Sequence, residues 1–490
     1  MQKYNFIFSL LLTGAIIFGA AACEERLEKY PRASMASEMA MADIEGIEGT
    51  LWGLYNRMQA GGYNHAEMNL AGGLLTDQLK VAAANSGRYI TYPTNRELAS
   101  TFSFSRANWP AIYNDINRIN MMLYYIDDVE ATEARIDMVK GQALAMRGYL
   151  YFDLMKIWAR PYMYQSPLVQ GEPLGVIIKT SPFLGLDEDS FASRSTIEEC
   201  YQQILDDFET ALTLLPADNQ DFPHFFTNLS VKALLARLHL FMGNWQEAAD
   251  YAEEVMNHTL ANLTDAGNYM DAFANSPGAE SIFELGYTSA DRPGMNTSVQ
   301  GLAWTDGEGI GYGDVILRQD LIDLLDFYRT KGDVRPEMTF EFNKEGEDVV
   351  YQNKFAGYRG EIYWDDIRVI RTAEMYLIAA EAYAELDRLD DARDILTEFR
   401  EHRMDTEHAE VTLATKDELI DLILTERRVE FFSEMSHRWF DLRRRGMDIP
   451  KGCPDNDPGI PLSFDDYRMV GRIPNAEVEA NENAIQNPGY

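Results

Sequence analysis

The side chains best equipped for chemistry in this 490-residue chain are carboxylates and aromatics rather than histidines or cysteines. Glycoside hydrolysis needs two carboxyl groups flanking the scissile bond, and Asp365-Asp366 and the Asp306/Glu308 pair supply that residue type. Their separation in space is not written in the sequence. With 79 Asp and Glu, such pairs arise by chance throughout the chain, so no residue is assigned a catalytic role. Asp455-Asn456-Asp457-Pro458-Gly459 alternates oxygen ligands as a calcium loop does, but Pro458 and the missing distal Glu depart from the EF-hand pattern, and the segment reads as an acidic turn. The seven histidines include no pair at metal-ligand spacing, and His437, beside Arg438 and Trp439, reads as structural. Three cysteines with no CxxC or Cys/His spacing indicate neither a zinc site nor a disulfide framework. GxxxxGK[ST], HExxH, GxSxG and a GxGxxG following a strand are all absent. No cofactor and no metal are predicted.

The most distinctive local sequence runs from Thr425 to Phe432 and continues from His437 to Arg444, interleaving Glu426, Arg427, Arg428, Glu430, Arg438, Asp441, Arg443 and Arg444 with Phe431, Phe432, Trp439 and Phe440. Charges among aromatics must be paired if they are buried. The expectation is an ion-pair network joining Glu430 and Asp441 to Arg427 and Arg438, which locks a helix into the core.

The elements that must position these groups are helical. Leu234, Leu238 and Phe241 recur at helical spacing, Gly243-Asn244 breaks the pattern, and Trp245, Ala248, Ala249, Ala252 and Val255 resume it, so 229–258 is one helix pair. A second pair places Tyr376, Ala379, Ala380, Tyr383 and Ala384 before a turn near Asp387-Arg388, with Leu389, Ala392, Ile395, Leu396 and Phe399 after it. Both look like tetratricopeptide units, irregularly spaced. Further helices are predicted at 43–58, 109–127, 131–158, 196–215, with Ser195 as N-cap, and 416–435. Between them, 61–108, 161–194, 262–314 and 333–365 are rich in Gly, Pro, Asn and aromatics yet keep strand-like runs such as 281–287 and 348–355. The fold class is therefore mostly α: tetratricopeptide-like helix pairs form a scaffold, with loop-rich segments and a few short strands packed on one side. Residues 43–490 are read as one composite domain.

Lys3, the apolar run Phe6–Phe18 and Gly19-Ala20-Ala21-Ala22 before Cys23 make residues 1–22 a signal peptide with a lipobox-like end. Cys23 is the expected lipidation site, and 23–42 a polar, charged tether. Net charge is −36, from 43 Lys and Arg against 79 Asp and Glu. That repels polyphosphate and argues against nucleic-acid binding.

The segment Thr425–Arg444 resembles the C-terminal signature of SusD/RagB proteins, the outer-membrane nutrient-binding lipoproteins of Bacteroidetes. Trp109-Pro110-Ala111-Ile112-Tyr113, Asn117–Asn120, Arg147–Leu154, Ile204–Pro216, Ala233–Val255, Arg371–Tyr383 and the ending Ile473-Pro474 through Asn487-Pro488-Gly489-Tyr490 follow in the family's order. The resemblance implies a non-enzymatic protein, lipid-anchored and surface-exposed on the outer membrane, that captures an oligosaccharide and delivers it to a SusC-type TonB-dependent transporter. A peptide-capturing relative, a surface glycoside hydrolase and a ligand-free scaffold protein are the alternatives. Transferred to this chain, the ligand face draws on Asp77, Arg88, Tyr89, Tyr92 and Asn95 before the Trp109 helix, and on Tyr287, Trp304 and Tyr312 before the Leu321–Tyr328 helix. Aromatic rings would stack on sugar C–H faces while polar groups bind hydroxyls. Trp304, near Gly307, Gly309, Gly311 and Gly313, either faces ligand or pins its loop to the scaffold.

Overall fold

Asp43 takes an extended backbone and its carboxylate accepts the Gly46 N–H, which starts helix α1 (Ile44–Met58). The computed structural model describes residues 40–59, 66–90, 108–164, 173–186, 188–219, 222–357, 361–450 and 462–490. Cys23, the signal segment and the Asp455–Gly459 turn lie outside the described residues. In chain order follow α2 (Ala66–Leu74), α3 (Asn108–Tyr125), α4 (Glu133–Trp158), α5 (Ile197–Leu214), α6 (Asn228–Met242), α7 (Trp245–Met256), α8 (Tyr269–Ala274), α9 (Val299–Ala303) and α10 (Gln319–Arg329). The C-terminal third holds α11 (Thr372–Glu385), α12 (Leu389–Glu401), α13 (Thr406–Ala409), α14 (Lys416–Glu430), α15 (His437–Arg444) and α16 (Asn475–Ala480).

The scaffold is a series of packed helix pairs. α4 lies against α5, α6 against α7 and α11 against α12, while α7 and α14 both pack on α11. The α6–α7 turn is made at Gly243, whose φ of 77° is costly for any residue with a Cβ. Ala248, Ala249, Ala252, Ala379, Ala380 and Ala382 are fully buried where the pairs cross, small enough for the axes to approach. The expected mostly helical scaffold is the one observed.

Three local expectations change. Ser195 is not the cap of α5, because its backbone is already spent: its N–H donates to the Val176 carbonyl and its carbonyl accepts from Gly175. Thr196 caps instead, in a reciprocal box with Glu199. α14 ends at Glu430 rather than Met435, since Ser433, Met435 and Ser436 all have positive φ. That tight turn sends Ser436 Oγ to the Met68 carbonyl at 2.6 Å and Met435 N–H to Asn69 at 2.9 Å. Its dock, α2, lies in a stretch read from sequence as irregular. Gly72 permits the contact, because a Cβ there would sit 2.4 Å from that of Ser436.

The ion-pair expectation is correct for one pair and wrong for two partners. Arg427 Nε does reach Asp441 at 2.8 Å. Glu430, however, accepts from Arg371 at 2.9 Å and Arg403 at 3.0 Å, both from elements remote in sequence, and Arg438 leaves the network for Asp77. Burial alone would raise the Glu430 carboxyl, yet the surrounding guanidiniums of Arg403, Arg371 and Arg335 outweigh it and hold it far below the usual carboxylate range. His437 is half-buried, stacks on Phe431 with centroids 4.4 Å apart, and its imidazole is held well below its usual range by desolvation and by Arg427.

Among the described residues the strands form three antiparallel pairs, β1 (Leu79–Val81) with β3 (Val315–Leu317), β2 (Ser281–Leu285) with β6 (Ile367–Arg371), and β4 (Thr339–Lys344) with β5 (Glu347–Gln352). One hydrophobic cluster runs from α1 to the C-terminal segment. A second, small cluster joins Val349 and Tyr351 of β5 to Ile316 of β3 and to Ala82, with Trp304 and Phe342 packed against it. Among the described residues, no helix is long and apolar enough to cross a membrane.

Candidate ligand-binding face

The loop from Trp304 to Gly313 is held in shape by its own backbone. Tyr312 N–H donates to the Gly301 carbonyl at 2.7 Å, Gly313 N–H to Trp304 at 3.1 Å and Asp306 N–H to Ile310 at 3.2 Å. The Asp306 carboxylate accepts the N–H groups of Glu308 and Ile310, which holds it below the ordinary range and leaves it serving its loop. Gly311, at φ 77°, lies so close to Trp304 that a Cβ would fall 2.1 Å from its carbonyl oxygen. From outside, Lys344 Nζ clamps the Tyr312 and Gly313 carbonyls at 2.7 Å each.

A segment more than 200 positions earlier meets this loop. The Arg88 guanidinium stands 4.2 Å from the centre of the Tyr312 ring and donates to Asn296 Oδ1 at 2.7 Å, the same oxygen that accepts the Tyr312 hydroxyl at 2.8 Å. Ser86 N–H donates to Asp314 at 2.8 Å and ties the two segments at their base. Arg88 and Tyr312 are thus brought together, on the loop that also bears Trp304.

The other residues named from sequence fall elsewhere. Tyr92 and Asn95 lie outside the described residues. Tyr89 is half-buried against the main core, its phenol pushed well above the usual range by burial and by Glu67. Asp77 is buried and bound to Arg438 and Arg428. Tyr287 is buried too, its N–H donating to Asp366 and its hydroxyl to the Gln59 carbonyl at 2.5 Å. Asp77 and Tyr287 therefore brace the face from within.

β4 adds aromatics that the sequence reading passed over. Phe340, Phe342 and Lys344 alternate along one side of the strand and lie over the 304–313 loop. The Phe340 ring is 6.0 Å from Trp304 and 6.0 Å from Phe342, tilted by 37° and 30°, and Phe340 keeps 37% of its surface exposed. The signal was present as a Phe-x-Phe alternation on a short strand.

Asp365 and Asp366, the other carboxylates considered for catalysis, are buried and accept the Gly357 and Tyr287 N–H groups. Burial raises the Asp365 carboxyl to about 7. Among the described residues, no group of three or more His, Cys, Asp or Glu side chains is arranged to hold a metal ion.

A SusD-like family model described as "Starch-binding associating with outer membrane" matches residues 36–240, and the SusD family model matches residues 338–490. A SusD-like protein of Formosa agariphila is 24% identical over 416 residues, covering 74% of this chain and 76% of that protein. A SusD superfamily protein from Bacteroides thetaiotaomicron superposes with a TM-score of 0.80 at 25% identity, over 91% of this chain and 100% of the other. One from Bacteroides vulgatus gives 0.78 at 25% identity, over 91% and 99%.

Proposed function

The chain belongs to the SusD/RagB family, and from that premise we propose that it is a cell-surface lipoprotein, anchored through Cys23, which captures an oligosaccharide and passes it to a SusC-type TonB-dependent transporter. The observation that carries the capture role is the braced loop presenting Trp304 beside the Arg88–Tyr312 pair. A flat ring held by a rigid loop offers an apolar surface to the C–H face of a sugar at little ordering cost. Asn296, bonded to Arg88 and Tyr312, and Glu308, exposed on the same loop, supply hydroxyl-binding groups.

Capture without turnover is the reading favoured. Asp365-Asp366 is enclosed and engaged with backbone N–H groups, and Asp306 is engaged by its own turn, so neither pair offers a free acid and base across an open cleft. Glycan and peptide arrays probed with the full-length chain in detergent, alongside Trp304→Ala, test the proposal. Retention of a glycan without product, lost in the variant, is the expected result. Retention of peptides alone, or release of shortened glycan, would overturn it. Labelling of the wild-type chain but not Cys23→Ala with palmitate tests the anchor, and co-purification with a TonB-dependent barrel tests the partner.

A further inference from the structure

Arg443, on the signature helix α15, is buried to 3% exposure and has no carboxylate partner among the described residues. Its two terminal nitrogens donate to the carbonyls of Lys156 and Ala159 at the C-terminal end of α4, the second at 2.7 Å. Its Nε–H is buried and finds no acceptor among the described residues. The neighbouring arginines are neutralised differently: Arg444 is bound to Glu381 and Asp441, and Arg427 to Asp441. A helix C-terminus supplies only about half a negative charge, so two carbonyls leave the Arg443 guanidinium under-compensated. Burial, with the Arg160 charge adding to it, accordingly pulls that guanidinium down to about 9.

The same side chain lines a cavity of about 10 Å³ between α4, α5, α6 and α15, room for about one particle of the size of a water molecule. Tyr201, Phe241 and Phe440 make its apolar wall, while Lys156, Arg443 and Arg444 bring positive charge to it, and no carboxylate lines it. Lys156 is held by Asp153 at 2.6 Å and Arg444 by Glu381 and Asp441, all outside the lining, so Arg443 carries the unspent donor. Tyr201 lies within the field of Arg443, which draws down a phenol that burial pushes up. A water in this cavity would satisfy the Nε–H and leave the charge as it is. A small anion would answer both.

We propose that this cavity is a binding site for one monovalent anion of chloride size, which accepts the Arg443 Nε–H and the Tyr201 hydroxyl and holds α15 against the end of α4. The overall charge of −36 does not oppose it, because the lining is locally positive and distant surface charges are screened over about 10 Å in salt. The site lies on elements other than those that bear Trp304, and it stands whether or not that face captures a glycan.

The full-length chain in detergent is unfolded thermally while sodium chloride replaces sodium gluconate at constant ionic strength, and crystals grown with bromide in place of chloride are examined for anomalous scattering. Tyr201→Phe, which keeps the ring, and Arg443→Met are compared with the wild type. The expected result is a midpoint that rises with chloride and saturates, with a bromide peak at hydrogen-bond distance from Arg443 Nε. In Tyr201→Phe the chloride concentration giving half the rise should increase about three- to tenfold, as for one lost hydrogen bond. A folded Arg443→Met should lose the chloride dependence altogether; should that variant fail to fold, the bromide peak and Tyr201→Phe decide the matter. A midpoint indifferent to chloride, or anomalous density at noise level in the cavity, overturns the proposal and leaves an ordered water there.

Discussion

Arg438 and Asp77 are 361 positions apart and meet in a two-pronged ion pair, Nε to Oδ1 at 3.0 Å and a terminal nitrogen to Oδ2 at 2.9 Å. The pair joins α15, in the C-terminal signature, to the turn between α2 and β1, from which the candidate ligand-face segment departs. Burial alone would raise the Asp77 carboxyl, but Arg438 and Arg428 outweigh it and hold it below its usual value. Asp77→Ala should therefore destabilise the whole chain, by about 3–5 kcal/mol for a buried charge left unpaired. Chemical unfolding measures it; a variant as stable as the wild type that has simply lost glycan binding would make Asp77 a ligand contact instead.

Glu430 is the hub of the buried network, with Arg371 and Arg403 donating to it and Arg335 3.7 Å away. Glu430→Gln keeps the shape and removes the charge that three guanidiniums need, so a loss of several kcal/mol is expected, on the order of that for breaking a buried pair. Its carboxyl lies far below the usual range and that of Asp441 is lowered to about 2. Depressed carboxylates contribute stability that is present above their unfolded values near 4 and lost as pH falls through the folded ones. Their contribution should therefore decline from about pH 4 downward, and Glu430→Gln should flatten that acid limb of an unfolding titration.

Asp365 carries the opposite sign. Its carboxyl is raised from 3.8 to about 7, first by burial, so the folded chain holds a proton that the unfolded chain has lost. Such a group contributes stability that is complete below about pH 4 and lost as pH rises through about 7. Glu284, also raised to about 7 by burial, acts in the same window. Unfolding free energies at pH 5 and pH 8 should show the decline, and Asp365→Asn should reduce it; an unchanged slope would mean that Asp365 is ionised in the folded chain.

Gly311→Ala tests the loop without touching a side chain. The substitution puts a Cβ 2.1 Å from the Trp304 carbonyl at a φ of 77°, so the loop must shift and Trp304 with it. Glycan affinity should fall nearly as far as in Trp304→Ala, with a stability loss of about 1–3 kcal/mol. Full affinity in Gly311→Ala would show that ligand does not depend on where the loop holds Trp304.

Arg88→Ala should loosen two segments rather than unfold the protein, because the Arg88–Asn296 contact is exposed and such contacts contribute little to stability. Limited proteolysis should cut near Ser86–Ile90 faster, while the unfolding midpoint stays close to that of the wild type. A marked drop in that midpoint would assign Arg88 a core role.

Helix periodicity made α7 and α12 legible, because each buries one stripe that repeats in the chain itself, as Ala248, Ala249, Ala252 and Val255 do, while α6 and α11, buried nearly all round, were legible as their partners across the turns at Gly243 and Asp387-Arg388. α2 was missed because all nine of its residues are buried, and a helix covered on every side has no polar face to set a period. Ser195 failed as a cap because a distant backbone had claimed it. Trp304, Tyr312 and Arg88 were identifiable as aromatics and a cation in Gly-rich or polar loops, whereas Phe340 sits in a short strand whose importance depends on which loop lies against it.

The sequence by itself determined the helical scaffold, the presence of Arg427 and Asp441 in one ion-pair network, and a net charge of −36 that disfavours polyphosphate ligands, since each follows from local spacing or composition. Only the tertiary structure decided that Glu430 belongs to Arg371 and Arg403, that Asp77 and Tyr287 serve the interior, and that Phe340 lies beside Trp304. Those outcomes depend on contacts between segments tens to hundreds of positions apart, where any of many arginines, carboxylates or rings could have been the partner. Only the packed backbone fixes which one arrives within bonding distance.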